Sequence, residues 1–465
     1  MQNYDVIVIG SGPAGRRAAI QAAKLGRSVI VVEKGRKVGG VSVHTGTIPS
    51  KTLRETVMNL SGMRERAFYG RSYRVKQHLD ADDLSRRLHV TLDHEVEVLE
   101  DQFARNQVYQ KRGVARFVDA NTIEVRGEAD DEATLMRGDR FILAVGTKPF
   151  RPDTIPFDGE TVLDSDEILD LAHLPRSMAV IGAGVIGIEY ATIFNVLDVK
   201  VTVVEPRTSF LDFVDRELID EFSHYLRDRG LQMRLGCKVD RVERRDGKVE
   251  VYLENGRFIG VDMVLFAAGR MGATPLLNLE ACGLETDHRG RIKVDPETFQ
   301  TAVPHIYAVG DVIGFPSLAS TSMEQGRIAA CHALGAPAQK PPDFFPYGIY
   351  AIPEISTVGM TEEEVQERNI PYEVGMARFR ETSRGHIMGL DAGLMKMLFS
   401  LKTRRLLGVH IVGEGATELI HIGQAVLNLK GTLDYFVEST FNYPTLAEAY
   451  KIAALDAWNR MPKVD

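Results

Sequence analysis

Twice along the chain an apolar strand runs into a G-x-G-x-x-G turn, a helix follows, and a second apolar strand ends on a glutamate. In the first copy Val6-Ile7-Val8-Ile9 meets Gly10, Gly12 and Gly15, an alanine-rich helix extends to about Lys24, and the next strand ends at Glu33. In the second copy Met178-Ala179-Val180-Ile181 meets Gly182, Gly184 and Gly187, and Val201-Thr202-Val203-Val204 leads to Glu205. The first glycine and the acid are 23 residues apart in both. The first glycine permits the tight turn, the second lets backbone approach a pyrophosphate, and the third lets helix pack closely on strand. The helix amino terminus then aims unpaired N–H groups and a positive dipole end at the phosphates, and the distal carboxylate takes a ribose hydroxyl. A lone glycine match is weak evidence; two, each with flanking strands and an acid at one offset, predict an α/β chain with two Rossmann-like dinucleotide-binding domains.

Each copy has a later companion strand ending in small residues, Phe141 to Thr147 with Gly146 and Val264 to Arg270 with Gly269, expected to close its nucleotide domain. A further strand, Ile306 to Val309, ends in Gly310-Asp311, which places a carboxylate at the carboxyl end of a parallel strand, where such folds bind ligands. Asp311 is therefore a candidate cofactor ligand. Proline-rich punctuation at Lys148 to Pro156 and at Pro341-Pro342 marks linkers, and the tail beyond about 345 carries no glycine fingerprint. Charge density between roughly 70 and 110 reads as a solvated helical insertion.

Other classes are excluded quickly. With 465 residues, about three domains is the prior, and the formal net charge of −8 argues against nucleic acid as a partner. The long apolar stretch Met178 to Leu197 holds Gly182, Gly184, Gly187 and Glu189, so it reads as strand, turn and helix rather than a membrane span. The MQNYDVIVIG start has no basic, cleavable leader, and Cys237, Cys282 and Cys331 lie far apart with no C-x-x-C, so a reducing cytoplasm is the expected setting. No histidine or carboxylate cluster has metal spacing, so no metal is expected, and no G-x-S-x-G elbow marks a serine hydrolase.

Two dinucleotides in one chain suggest a flavin, FAD, held permanently and a nicotinamide nucleotide that comes and goes, the protein aligning the two rings for hydride transfer. Nearly the whole chain resembles the pyridine nucleotide-disulfide oxidoreductase family, through Gly39-Gly40, Gly46, Ile48-Pro49-Ser50-Lys51, Gly182 to Glu189, Gly310-Asp311, and Pro444-Thr445-Leu446 with Glu448. The resemblance implies an FAD-binding domain in two parts, 1–150 and 273–343, an NAD(P)-binding domain over 151–272, and an α+β dimerisation domain over 344–465. It also implies a homodimer or higher homo-oligomer in which each tail approaches its partner's flavin. By the same resemblance, Lys51 sits near the flavin's reactive nitrogen and pairs with Glu189. Gly10, Gly12, Gly15, Glu33, Lys51, Gly146 and Asp311 are the candidate FAD residues. Gly182, Gly184, Gly187, Glu205, Arg207 and Gly269 are those for NAD(P), Glu205 suiting a 2′-hydroxyl and Arg207 a 2′-phosphate.

The departures from the family decide the expected chemistry. Ser42 and Thr47 stand where disulfide-using members carry two cysteines, and hydroxyls cannot cycle through a disulfide. Tyr443 stands where those members place a catalytic histidine before the Pro-Thr pair, which leaves Glu448 without the base it would orient. Tyr443 is a candidate catalytic residue through packing on or hydrogen bonding to the flavin, with plain packing the alternative, and His44 reads as structural. Gly46 to Lys51 and Phe441 to Thr445 resemble a branch that acts as a transhydrogenase, which implies NADPH reducing the flavin, NADP+ leaving, and NAD+ collecting the hydride at the same site. An NAD(P)H-dependent quinone or oxygen reductase and a non-turnover flavin sensor are the alternatives.

Overall fold

Both glycine fingerprints fold as their spacing predicts in the computed structural model, which describes residues 1–70, 72–127, 133–245 and 247–461. Strand Gln2–Ile9, helix Pro13–Lys24 and strand Val29–Glu33 are repeated by strand Ser177–Ile181, helix Val185–Val196 and strand Lys200–Glu205. Gly10 and Gly182 share a φ of 103°, and a Cβ there would lie 2.3 Å from the Ala144 carbonyl oxygen and 2.7 Å from that of Ala267. Only glycine fits a left-handed turn pressed against a neighbouring strand.

The first sheet has the order Tyr109–Arg112, Val29–Glu33, Gln2–Ile9, Thr134–Leu143, Thr122–Arg126, Val114–Asp119, with Ile306–Ala308 also paired to Thr134–Leu143. Val6 to Ile9 are at most 4% exposed, as a parallel strand covered on both faces must be. The second sheet is parallel throughout: Gln232–Leu235, Lys200–Glu205, Ser177–Ile181, Met263–Phe266, Val162–Asp164. The companion strands lie inside these sheets. Phe141 pairs with Ile7 and Val264 with Ala179, so each lies directly beside the glycine-bearing strand and puts its small residues over the glycine turn. The chain leaves and re-enters the first sheet's unit through Thr147–Pro149 and Arg270–Gly272, which pair antiparallel as a two-stranded ribbon.

The 70–110 stretch differs from its reading as a solvated insertion, apart from Arg71, which lies outside the described residues. Helix Ala81–Arg105 starts at a capping box between Asp80 and Asp83 and buries Leu84, Leu88, Val96, Leu99 and Phe103. Val96, Leu99 and Phe103 join the core of the first sheet. The charges occupy its outer face, and the apolar stripe at helical spacing outweighs them.

The tail folds as a five-stranded antiparallel sheet, Tyr347–Ile349, Ile355–Gly359, Leu406–Val412, Leu394–Ser400, Tyr372–Arg378. Helices Ala416–Asn428 and Glu448–Trp458 pack on it, with the Tyr450 ring stacked 5.4 Å from Phe436. A buried ionic cluster joins the tail to the second sheet's unit. Lys396 Nζ lies 3.0 Å from both Asp215 and Glu217 carboxylate oxygens and also pairs with Glu362.

Candidate active site

The first glycine turn opens on a cavity of about 210 Å³ lined by Gly10, Gly12, Glu33, Gly146 and Asp311. Glu33 is committed on both oxygens: one accepts from the Ser11 amide at 2.9 Å and hydroxyl at 2.6 Å, the other from the Gly35 amide at 2.7 Å. Ser11 Oγ in turn accepts from the Gly39 amide at 2.9 Å, which ties the Gly39-Gly40 segment to the turn. Gly12 is the N-cap of its helix without a side-chain cap, and a Cβ there would meet no atom within 4 Å. Open space in front of uncapped helix amides is a cradle that fits a pyrophosphate. Burial pushes the Asp311 carboxyl up, against the opposing pull of Arg270 and a Ser322 hydrogen bond.

A larger cleft, about 1410 Å³, runs between both nucleotide units and the tail, and Asp311 and Thr47 border it as well as the first cavity. Gly184 faces it as Gly12 faces the first cavity, again with nothing near a Cβ position. Gly15 and Gly187 stand behind the turns, where a Cβ would come within 1.9 Å and 2.0 Å of the Gly10 and Gly182 carbonyl oxygens. Gly187→Ala is therefore expected to lower stability by roughly 1–3 kcal/mol, the cost of forcing a methyl into packed backbone, read from denaturant unfolding.

Helix Thr47–Leu60 carries Lys51 in its first turns, and its ammonium lies 2.8 Å and 3.0 Å from the two Glu189 carboxylate oxygens, 138 residues away in sequence. Glu189 is 4% exposed and also accepts from the Tyr350 amide at 2.8 Å. Ser42 and Thr47 both line the first cavity, and Ser42 donates to the Gly39 carbonyl at 3.0 Å. His44 Nε2 donates to the Val38 carbonyl at 2.9 Å.

At the far end of the cleft, Glu205 accepts from the Ala183 amide at 2.9 Å and from Arg207 Nε at 2.8 Å, while Arg207 Nη1 lies 3.1 Å from Asp212. Burial works against the Glu205 charge, but the Arg207 side chain and the Ala183 and Arg207 amides outweigh it and hold the carboxyl below its ordinary range. Gly269 borders this cleft, and Arg270 spans the ribbon from Thr147 to Asp166. All three cysteines are free: Cys282 and Cys331 are buried, and Cys237 borders the cleft beside Glu205, donating its amide to the Glu205 carbonyl.

Within one chain the structure does not bring Tyr443 to Lys51 and Glu189. Tyr443 is 71% exposed, its hydroxyl 2.5 Å from Ser383 Oγ, and it borders neither cavity. Among the described residues Glu448 Oε2 is buried without a hydrogen-bond partner. Tyr350 was not legible as a site residue, since nothing in the tail's sequence marks it. Among the described residues no group of side chains could hold a metal ion, and no helix is long and apolar enough to cross a membrane.

Two dinucleotide folds converging on a lysine–glutamate pair define a two-nucleotide oxidoreductase. Residues 4–326 match the family described as pyridine nucleotide-disulphide oxidoreductase, and 345–454 match its dimerisation domain. The chain belongs to that family. It is 53% identical over 461 residues to a Mycobacterium tuberculosis protein named soluble pyridine nucleotide transhydrogenase, covering 99% of this chain and 98% of that one. It is 44% identical over 463 residues to a protein of the same name from Colwellia psychrerythraea, covering 99% of each. Among solved structures, the HOCl-induced flavoprotein disulfide reductase RclA from Escherichia coli is similar, with a TM-score of 0.87 at 27% identity over 97% of this chain and 99% of that one.

Proposed function

We propose that the chain is a flavin-dependent transhydrogenase that moves a hydride between NADPH and NAD+ by a ping-pong route, without a redox disulfide. Carrying the reading is one observation: hydroxyls, Ser42 and Thr47, border the flavin cavity at the positions where disulfide-using relatives carry sulfur. The names of the relatives agree with it. In this reading 1–150 and 273–343 hold FAD, 151–272 holds NAD(P), and 344–465 forms a homodimer or higher homo-oligomer that brings Tyr443 to the partner's flavin. FAD, when bound, supplies a ring that can take a hydride from one nicotinamide and give it to another. Lys51 holds a positive charge beside that ring, and Glu189 fixes the ammonium's position. The uncapped helix ends behind Gly12 and Gly184 take the pyrophosphates, Glu33 the FAD ribose, and Asp311, Gly146 and Gly269 border the rings' approach.

Dual nucleotide use falls to Glu205 and Arg207. For NAD+, Glu205 accepts the 2′-hydroxyl; for NADPH, Arg207 turns from Glu205 to the 2′-phosphate. Arg207→Ala is expected to raise KM for NADPH about 10-fold to 100-fold, the worth of a charge-assisted hydrogen bond, and to change KM for NAD+ less than about threefold. Steady-state kinetics with each nucleotide checks it. The reading itself is tested by adding NADPH anaerobically to purified holoprotein and then a spectrally distinct NAD+ analogue. Flavin bleaching followed by stoichiometric reduced analogue supports it; turnover with quinone or oxygen but not with the analogue overturns it.

A further inference from the structure

Between the helix that carries Lys51 and the helix that carries Glu189 runs a short strap from the tail domain, Tyr350 to Glu354. It is fastened on both sides. The Tyr350 amide donates to Glu189 at 2.8 Å, and the Ile352 amide donates to Thr192 Oγ1 at 3.1 Å on the same helix. On the other side Arg54 Nε donates to the Ala351 carbonyl at 3.2 Å, and Arg54 Nη2 lies 3.1 Å from Glu354. Arg54 is one helical turn from Lys51 and its side chain is 3% exposed, so this fastening is internal. The Lys51 ammonium lies 4.8 Å from the centroid of the Tyr350 ring. One residue of the tail therefore touches both members of the lysine–glutamate pair, the anion through its backbone and the cation through its ring.

We propose that Tyr350 is a positioning residue for Lys51: its ring face confines the ammonium to the flavin side of the Glu189 carboxylate, and so sets how strongly negative charge on the reduced ring is stabilised. The proposal rests on the flavin reading above. The Glu189 carboxylate and the Ser50 hydroxyl, 3.2 Å from the ammonium, still leave a long stem with many rotamers room to swing. A ring face 4.8 Å away adds an attraction with a fixed direction. The assignment gives the tail domain a part in tuning the site as well as in assembly.

The test uses holoprotein and a redox dye without any nicotinamide, so it can fail while the transhydrogenase reading stands. Tyr350→Leu is expected to lower the flavin midpoint potential by about 30 mV, the equivalent of a tenfold change for a two-electron couple. Tyr350→Phe, which keeps the ring, is expected to stay near the wild-type value. In the Lys51→Met background Tyr350→Leu should produce no further shift, because the tyrosine acts through the lysine. Progressively fluorinated phenylalanine at 350 keeps the shape and weakens only the ring's attraction, so the potential should fall stepwise even if the leucine variant does not fold. An unchanged potential across the fluorinated series, or an equal shift with and without Lys51, overturns the proposal.

Discussion

Lys51→Met is expected to slow flavin reduction by NADPH about 100-fold to 1000-fold while the protein keeps its FAD, the effect of removing one preorganised group from a site of developing charge. In the proposed mechanism two electrons and one proton arriving on the ring leave negative charge to be balanced, and the Lys51 ammonium, 2.8 Å from Glu189 in the cleft between three units of the chain, supplies a cation for it. Solvent would have to reorganise to do the same work. Glu189→Gln is the softer variant, since it keeps a hydrogen bond to the Tyr350 amide and releases the lysine. Rapid-mixing absorbance with NADPH in excess reads the first-order reduction step directly, and retention of the wild-type rate in Lys51→Met would remove Lys51 from the mechanism.

Lys396→Met is expected to cost about 3–5 kcal/mol of stability, because it leaves buried carboxylate charge without its cation. Lys396 is 1% exposed and Asp215, which also caps helix Arg216–Asp228, is fully buried. The cluster has a pH signature. Burial works against the charge on Asp215, but His410, Lys396 and the Glu362 amide outweigh it and lower its pKa. That contribution is present above the unfolded carboxylate pKa of about 3.9 and is lost as pH falls through the folded value. Burial works against the charge on Lys396 too, yet Glu362, Asp215 and Glu217 raise its pKa, so its share is present below about 10.4 and is lost as pH rises through the folded value. Burial lowers the pKa of His410, which accepts from Thr357 at 2.5 Å and donates to the Met360 carbonyl at 2.9 Å, so its share is lost on going below about 6.5. The cluster's share of the stability should therefore be level from about pH 6.5 to about 10. A Lys396→Met protein as stable as the wild type across that range would contradict the account.

What could be read without coordinates was the part of the fold that chemistry constrains at short range. Gly10 and Gly182 announce their turns because no other residue fits them, and Glu33 and Glu205 follow at a distance fixed by one helix and one strand. Long-range juxtaposition was different. Lys51 and Glu189 could be paired only through resemblance, and Tyr350, which touches both, carries no local signature at all. Charge density marks Ala81–Arg105 as a solvated helix, but it does not mark the Leu84, Leu88, Val96, Leu99 stripe that buries the helix's other face. Tyr443, 71% exposed, borders neither cavity of its own chain.

In the proposed mechanism electrons enter and leave through the flavin alone, with no sulfur in the path. An anaerobic titration of holoprotein with NADPH, followed by flavin absorbance, counts them. One equivalent of NADPH per flavin should bring reduction to its end point, with no long-wavelength thiolate–flavin band. A requirement for two equivalents, or the appearance of that band, would mean that a dithiol takes part and would contradict the account.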